Sequence, residues 1–201
     1  MYNNDFIIEN KKILKYNGKS QNVIIPDGVT SVLEFVISEC DFISSVQFPN
    51  SLQNIGCDAF SYCTNLASVQ FPLSLQSIGT RAFLGCKKLE AIIIPNNVTE
   101  IGLFAFSDCQ NLSKVIIGDA ITTIEEGTFA CCKSLKQIHF SSSVTTIKEN
   151  AFYGCESLYS VNILENVKKI DKYAFLNCRN LTIYAPEGSV AESTRLITRE
   201  T

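Results

Sequence analysis

The chain has 201 residues, a length for about one domain, and at that size it buries enough surface to fold without disulfide or metal staples. Hydrophobic residues make up 46% and charged residues 18%, which excludes a highly charged disordered chain. The net charge of −3, with Lys and Arg spread along the chain, excludes a nucleic-acid footprint; apolar runs stop at four residues, as in Ala91-Ile92-Ile93-Ile94, which excludes a spanning helix.

The N-terminal MYNNDFIIEN has neither a basic n-region nor an apolar h-region, so no signal peptide is visible and the sequence by itself reads as cytoplasmic. Residues 1–20 form an N-terminal cap, in which two apolar runs around Glu9-Asn10-Lys11-Lys12 predict a hairpin over 5–17. From 21 to 181 the chain reads as about seven repeats of 23 residues. The frame Ala-Phe-x-x-Cys-x-x-Leu starts at Ala59, Ala82, Ala105, Thr128, Ala151 and Ala174, and a degenerate copy with Val36 and Cys40 precedes them. After each Leu comes an apolar-x-apolar triplet such as Val46-Gln47-Phe48, the alternation of a short half-buried strand. A second apolar pair, from Val29/Val32 and Leu52/Ile55 to Val167/Ile170, predicts a second short extended segment. Ala-Phe-x-x-Cys then leaves room for one helical or 3₁₀ turn. Residues 182–201 break the frame and form a C-terminal cap and tail. They hold a last extended piece, a Pro186-Glu187-Gly188 turn, and a Ser189-x-x-Glu192 capping box opening a short helix; about the last five residues are expected to be loose.

One such coil cannot bury its Leu, Val, Phe and Cys alone, whereas stacked coils share a continuous core. Parallel strands spaced about 4.8 Å apart turn some eight coils into a rod roughly 35–40 Å long. Phe60, Phe83, Phe106, Phe129, Phe152 and Phe175, led by Ile37, form the expected core column. The frame resembles the BspA-like leucine-rich repeats from about 21 to 184, and the flanks LKYNG and LTIYAPEGS resemble that family's usual start and finish. The resemblance implies a right-handed leucine-rich-repeat solenoid of α/β class, mostly short parallel strands, with its strand ladder on the concave face. It also implies a non-catalytic protein-binding module, namely a surface-displayed or secreted domain for adhesion or for host or matrix recognition. The alternative is an intracellular structural scaffold that assembles weakly with itself or a partner through its ends or flank.

Seven of the nine cysteines (Cys40, Cys63, Cys86, Cys109, Cys132, Cys155, Cys178) share one repeat position. A straight column cannot converge four ligands on a zinc ion, and parallel Cβ vectors do not converge as a disulfide requires. The column therefore reads as reduced core thiols packed as small hydrophobes, with Cys57 and Cys131 off it and facing solvent. His139, the sole histidine, comes with no nucleophile elbow, Glu-x-x-His pair or phosphate loop, and Gly56, Gly79 and Gly102 read as part of the repeat. No catalytic residue, metal ligand or cofactor is expected, and the expected partner is a protein. In the outward column Ile24, Gln47, Gln70, Ile93, Ile116, His139, Asn162, the neighbours Ile93 and Ile116 make an apolar strip rimmed by Lys114, Gln137 and His139, the candidate partner site. Leu103 and Phe104 stand where other copies carry Thr80-Arg81, Glu126-Gly127 or Glu149-Asn150, which marks a candidate flank contact.

Overall fold

The computed structural model describes residues 5–193. Strands Phe6–Glu9 and Lys12–Tyr16 pair antiparallel as the expected hairpin. Its two-residue turn holds Asn10 and Lys11 at φ 49° and 64°, the pair of left-handed residues that a type I′ turn needs. Lys12–Tyr16 then pairs parallel with Ser31–Val32 and so caps the first coil.

Each coil adds one strand to each of two parallel ladders. The first is built of three-residue strands from Asn22–Ile24 to Thr182–Tyr184, and the second of two-residue strands from Ser31–Val32 to Lys169–Ile170. From Asn22–Ile24 to Ser160–Asn162 the middle residue of each first-ladder strand is buried and its neighbours are exposed or half-buried, because successive side chains leave a strand on opposite faces. Between the ladders runs the predicted phenylalanine column. Phe60, Phe83, Phe106, Phe129 and Phe152 are fully buried and Phe175 nearly so. Successive rings stack with centroids 5.2–5.8 Å apart.

The third side of each coil differs from the expectation. Ala-Phe-x-x-Cys forms neither an α-helical nor a 3₁₀ turn but a run of tight turns held by two left-handed residues per coil, from Phe35 and Glu39 to Asn150 and Gly154, with Asn177 alone in the last coil. Asp58, Arg81, Phe104, Gly127 and Asn150 occupy one such position; Tyr62, Gly85, Asp108, Cys131, Gly154 and Asn177 occupy the other. A left-handed residue ends helical propagation and turns the following N–H sideways, so alternate N–H groups reach the next coil instead of their own. Phe60 N–H, for instance, donates to Ala82 O at 2.8 Å.

The glycines of the repeat have a steric task. A Cβ on Gly56, Gly79 or Gly102 would lie about 2.7 Å from the backbone of the preceding coil, so these positions admit no side chain. From Glu125 onward the same position carries a side chain. There the second ladder is interrupted: Glu100–Ile101 ends one sheet and Thr123–Ile124 begins the next. The first ladder is interrupted one coil earlier, between Ser68–Gln70 and Ala91–Ile93, where the strand-end residue changes from Phe71 to Ile94.

At the far end, Thr182–Tyr184 extends the first ladder and Val190–Ser193 forms the short helix. Ser189 precedes that helix, but its hydroxyl is buried without a hydrogen-bond partner, so the serine half of the expected capping box is not made. Glu192, as a side chain, and the tail 194–201 lie outside the described residues. No helix among the described residues is long and apolar enough to cross a membrane.

Candidate binding surface

The outward column exists as read, and the ladder aligns it. Ile116 pairs with Ile93 on one side and His139 on the other, and His139 pairs with Asn162. Ile93 is 60% and Ile116 43% exposed, so two branched apolar side chains lie next to each other in water on a rigid sheet. Lys114 and Gln137 are exposed two residues before Ile116 and His139, on the same face. Gln137 donates from Nε2 to the hydroxyl of Tyr159 on the following coil, a rim member that the period alone does not reveal. Tyr184 extends the column by pairing with Asn162, one residue short of the 23-residue step. On the other side of the strip lies a depression of about 440 Å³, lined by Ser45, Gln47, Asn50, Ser68, Gln70 and Phe71.

The flank pair divides. Leu103 is exposed, but Phe104 is half-buried and held at φ 55°, its ring lying on the Cα of Gly127 in the next coil. Phe104 therefore packs within the chain as well as facing outward. The same comparison of sibling copies points to Leu73, which sequence reasoning passed over. It stands where other copies have Asn50, Asn96 or Asp119, and it is 77% exposed.

The cysteine column runs through the interior from Cys63 to Cys178, whereas Cys40 at its start is half-buried. These thiols do more than fill space. Each donates from Sγ to a backbone carbonyl one coil back, from Cys63 to Ile37 O at 3.0 Å through Cys178 to Phe152 O at 3.1 Å. Burial pushes the Cys63 thiol up to about 12 and holds Cys86 and Cys132 well above the ordinary value. Cys57 is exposed; Cys131 is half-buried, contrary to its expected solvent-facing position, because it sits between neighbouring coils near Gly154. Burial and, next, Asp108 raise its thiol. Alkylation of the native protein followed by peptide mapping is expected to label Cys57 first, then Cys40 and Cys131. Cys63, Cys86, Cys109 and Cys132 should wait for unfolding, since burial raises all four thiols and a shift of the Cys63 size lowers the thiolate fraction about a thousandfold. Rapid labelling of Cys86, Cys109 or Cys132 would contradict the buried column.

This geometry can be set beside known proteins. A family model for the BspA type leucine rich repeat region matches residues 8–72 and 53–182, in six copies. The chain belongs to that family. Among solved structures it is similar to a leucine-rich repeat protein from Bacteroides ovatus, with 29% identity, a TM-score of 0.59, and coverage of 84% of this chain and 55% of that one. A leucine-rich repeat protein from Eubacterium ventriosum is 22% identical, with a TM-score of 0.65 and coverage of 87% and 57%. The pneumococcal vaccine antigen PcpA is 19% identical, with a TM-score of 0.66 and coverage of 88% and 44%. The chain thus spans little more than half the length of the first two and less than half of the third. No curated protein matches it. Within this BspA-type solenoid the coils are scaffold, and the residues free to differ from one coil to the next are those on the outer faces.

Proposed function

We propose that this BspA-type solenoid is a non-catalytic protein-binding module whose contact centres on Ile93 and Ile116, rimmed by Lys114, Gln137 and His139. The observation that carries the reading is the exposed isoleucine pair on adjacent hydrogen-bonded strands. Desolvating a small apolar centre inside a polar rim is where most interfaces concentrate their energy, and a strand ladder holds that centre on a backbone that is already ordered, which reduces the entropic cost of binding. Membership of the family, and the description of one structural neighbour as a vaccine antigen, favour a partner met in adhesion or in host or matrix recognition.

The test is the double substitution Ile93→Gln with Ile116→Gln, residues that Gln47 and Gln70 already supply at the same place in sibling coils. Because both side chains point to solvent, the melting temperature should hold. Binding to immobilised extracellular-matrix proteins, measured by surface plasmon resonance, is expected to weaken at least tenfold, the equivalent of about 1.4 kcal/mol. Unchanged binding to a protein that the wild type captures would place the contact elsewhere.

A second reading, a scaffold that assembles through its ends or flank, is favoured by Leu103, exposed where sibling copies are polar. Leu103→Thr should then reduce self-association without loss of stability.

A further inference from the structure

Two successive coils present the same outward residues. Ser45-Val46-Gln47-Phe48-Pro49 and Ser68-Val69-Gln70-Phe71-Pro72 are identical, whereas the corresponding five residues differ between every other pair of neighbouring coils. The ladder sets the two copies in register, Ser45 beside Ser68 and Gln47 beside Gln70, about 4.8 Å apart. In the same outward column Ile24 stands before Gln47 and Ile93 after Gln70, 61% and 60% exposed. In the interval between these two branched side chains lies the depression of about 440 Å³, within the range of about 300–1,000 Å³ that small-ligand sites occupy.

The lining is polar without being charged. Ser45, Gln47, Asn50, Ser68 and Gln70 supply hydroxyls and amides, and no acidic or basic side chain among the described residues takes part. Hydroxyls and amides both donate and accept hydrogen bonds. The side-chain amides of Gln47, Gln70 and Asn50 and the hydroxyl of Ser68 meet no partner among the described residues. Ser45 is set differently: its hydroxyl donates to Asn22 Oδ1 at 2.7 Å, so it offers its lone pairs. Phe71 is half-buried and adds an aromatic surface to the lining, its ring held against Phe48 at 6.0 Å and Phe83 at 5.6 Å. A phosphate or carboxylate ligand would find no cation here. An apolar ligand would strip water from the five polar side chains without replacing their hydrogen bonds, which is costly. A sugar meets both demands, because each of its hydroxyls donates and accepts while a C–H face of its ring packs on an aromatic one.

We infer that this depression binds a neutral oligosaccharide, with successive sugar units lying along the ladder, their hydroxyls on Gln47 and Gln70 and one ring face against Phe71. A duplicated pair of amides in register suits a ligand that itself repeats. Ser45 and Ser68, being small, leave the room that Lys114 and Gln137 fill at the same repeat position further along the ladder. The depression shares only its boundary residue Ile93 with the proposed protein contact, so it stands or falls independently of that reading.

The test is NMR titration of the full chain with cellotriose, maltotriose, mannotriose and chitotriose to millimolar concentration, with glucose 6-phosphate as the charged control. At least one of the four trisaccharides is expected to shift the side-chain amide signals of Gln47 and Gln70 in a saturable way, while the methyl signals of Ile116 stay in place. Gln47→Ala with Gln70→Ala should weaken that binding by about tenfold or more, since both amides lose their hydrogen bonds to the ligand. Gln47→Ile with Gln70→Ile, side chains that Ile24 and Ile93 already supply in neighbouring coils, should do the same. Ile116→Gln should leave the sugar affinity unchanged, which separates this site from the protein contact. All three variants should melt with the wild type by circular dichroism, because the altered side chains are exposed. No perturbation by any of the four sugars, undiminished binding by both glutamine variants, or tighter binding of glucose 6-phosphate than of the neutral sugars would each overturn the inference.

Discussion

Phe106→Ala is expected to destabilise the protein by about 3–5 kcal/mol. The ring is fully buried and stacked on both faces, against Phe83 at 5.4 Å with planes 3° apart and against Phe129 at 5.8 Å with planes 8° apart. It also meets the edge of Phe71 at 6.5 Å. Truncation removes both stacks, each contributing about 0.5–1.5 kcal/mol beyond area, and leaves a cavity. Collapse cannot fill that cavity, because the flanking coils are pinned by two ladders and the turn seam. Phe175→Ala provides the comparison. Its ring stacks on Phe152 alone, at 5.2 Å, and it should lose less. Urea titration of both variants reads the difference. A central truncation no worse than the terminal one would show that the column does not carry stability from coil to coil.

Gly102→Ala tests the opposite fault, too much atom instead of too little. Gly102 has no left-handed backbone requirement, so alanine would ordinarily stabilise by about 0.4–1 kcal/mol through the unfolded chain. Here the new methyl would sit 2.7 Å from the carbonyl carbon of Gly79 and closer still to the N of Thr80. Backbone cannot rotate away as a side chain can, so the coils must part and strain the bond from Gly102 N–H to Ile78 O at 2.8 Å. The expected outcome is a loss of about 1–3 kcal/mol. Glu125→Ala, at the equivalent position where a Cβ is already housed, should change stability by less than about 1 kcal/mol, since it forfeits only a solvent-screened pair with Lys148. Equal effects at 102 and 125 would remove the steric account of the glycine positions.

Most of the fold was legible in the sequence because its signal repeats. One Phe-x-x-Cys is weak, but six in step identify the stacking unit, the buried Phe column and the two strands per coil, all of which the structure contains. What was not legible depends on the neighbouring coil. The left-handed turn residues Asp58, Tyr62, Arg81 and Asp108 carry no glycine to announce them, although Gly85, Gly127 and Gly154 stand at sibling positions. The purpose of Gly79 and Gly102 appears only when the backbone facing them is placed. The thiol hydrogen bonds to Ile37 and the later carbonyls likewise require a coil beneath. On the surface, Ile93 and Ile116 stood out because sibling residues are polar, and they lie side by side as expected. Leu73 satisfies the same criterion, but it lies in the turn between the two strands of its coil, where no alternation of buried and exposed residues marks an apolar side chain as outward. Tyr159 has no periodic signature, and only its hydroxyl contact with Gln137 draws it to the rim.

On the proposed function, the strand face recognises a protein at one place along its length. Isoleucine-methyl NMR addresses it without altering a residue, because the column contains its own control. Ile24 belongs to the same outward column three coils from Ile93 and is as exposed, at 61%. On titration with a matrix protein that the chain captures, the methyl signals of Ile93 and Ile116 are expected to shift or broaden, while those of Ile24 and the buried Ile78 and Ile147 stay in place. Movement of Ile24 with Ile93 and Ile116 unperturbed, or no movement in the column at all while the partner is bound, would contradict the account.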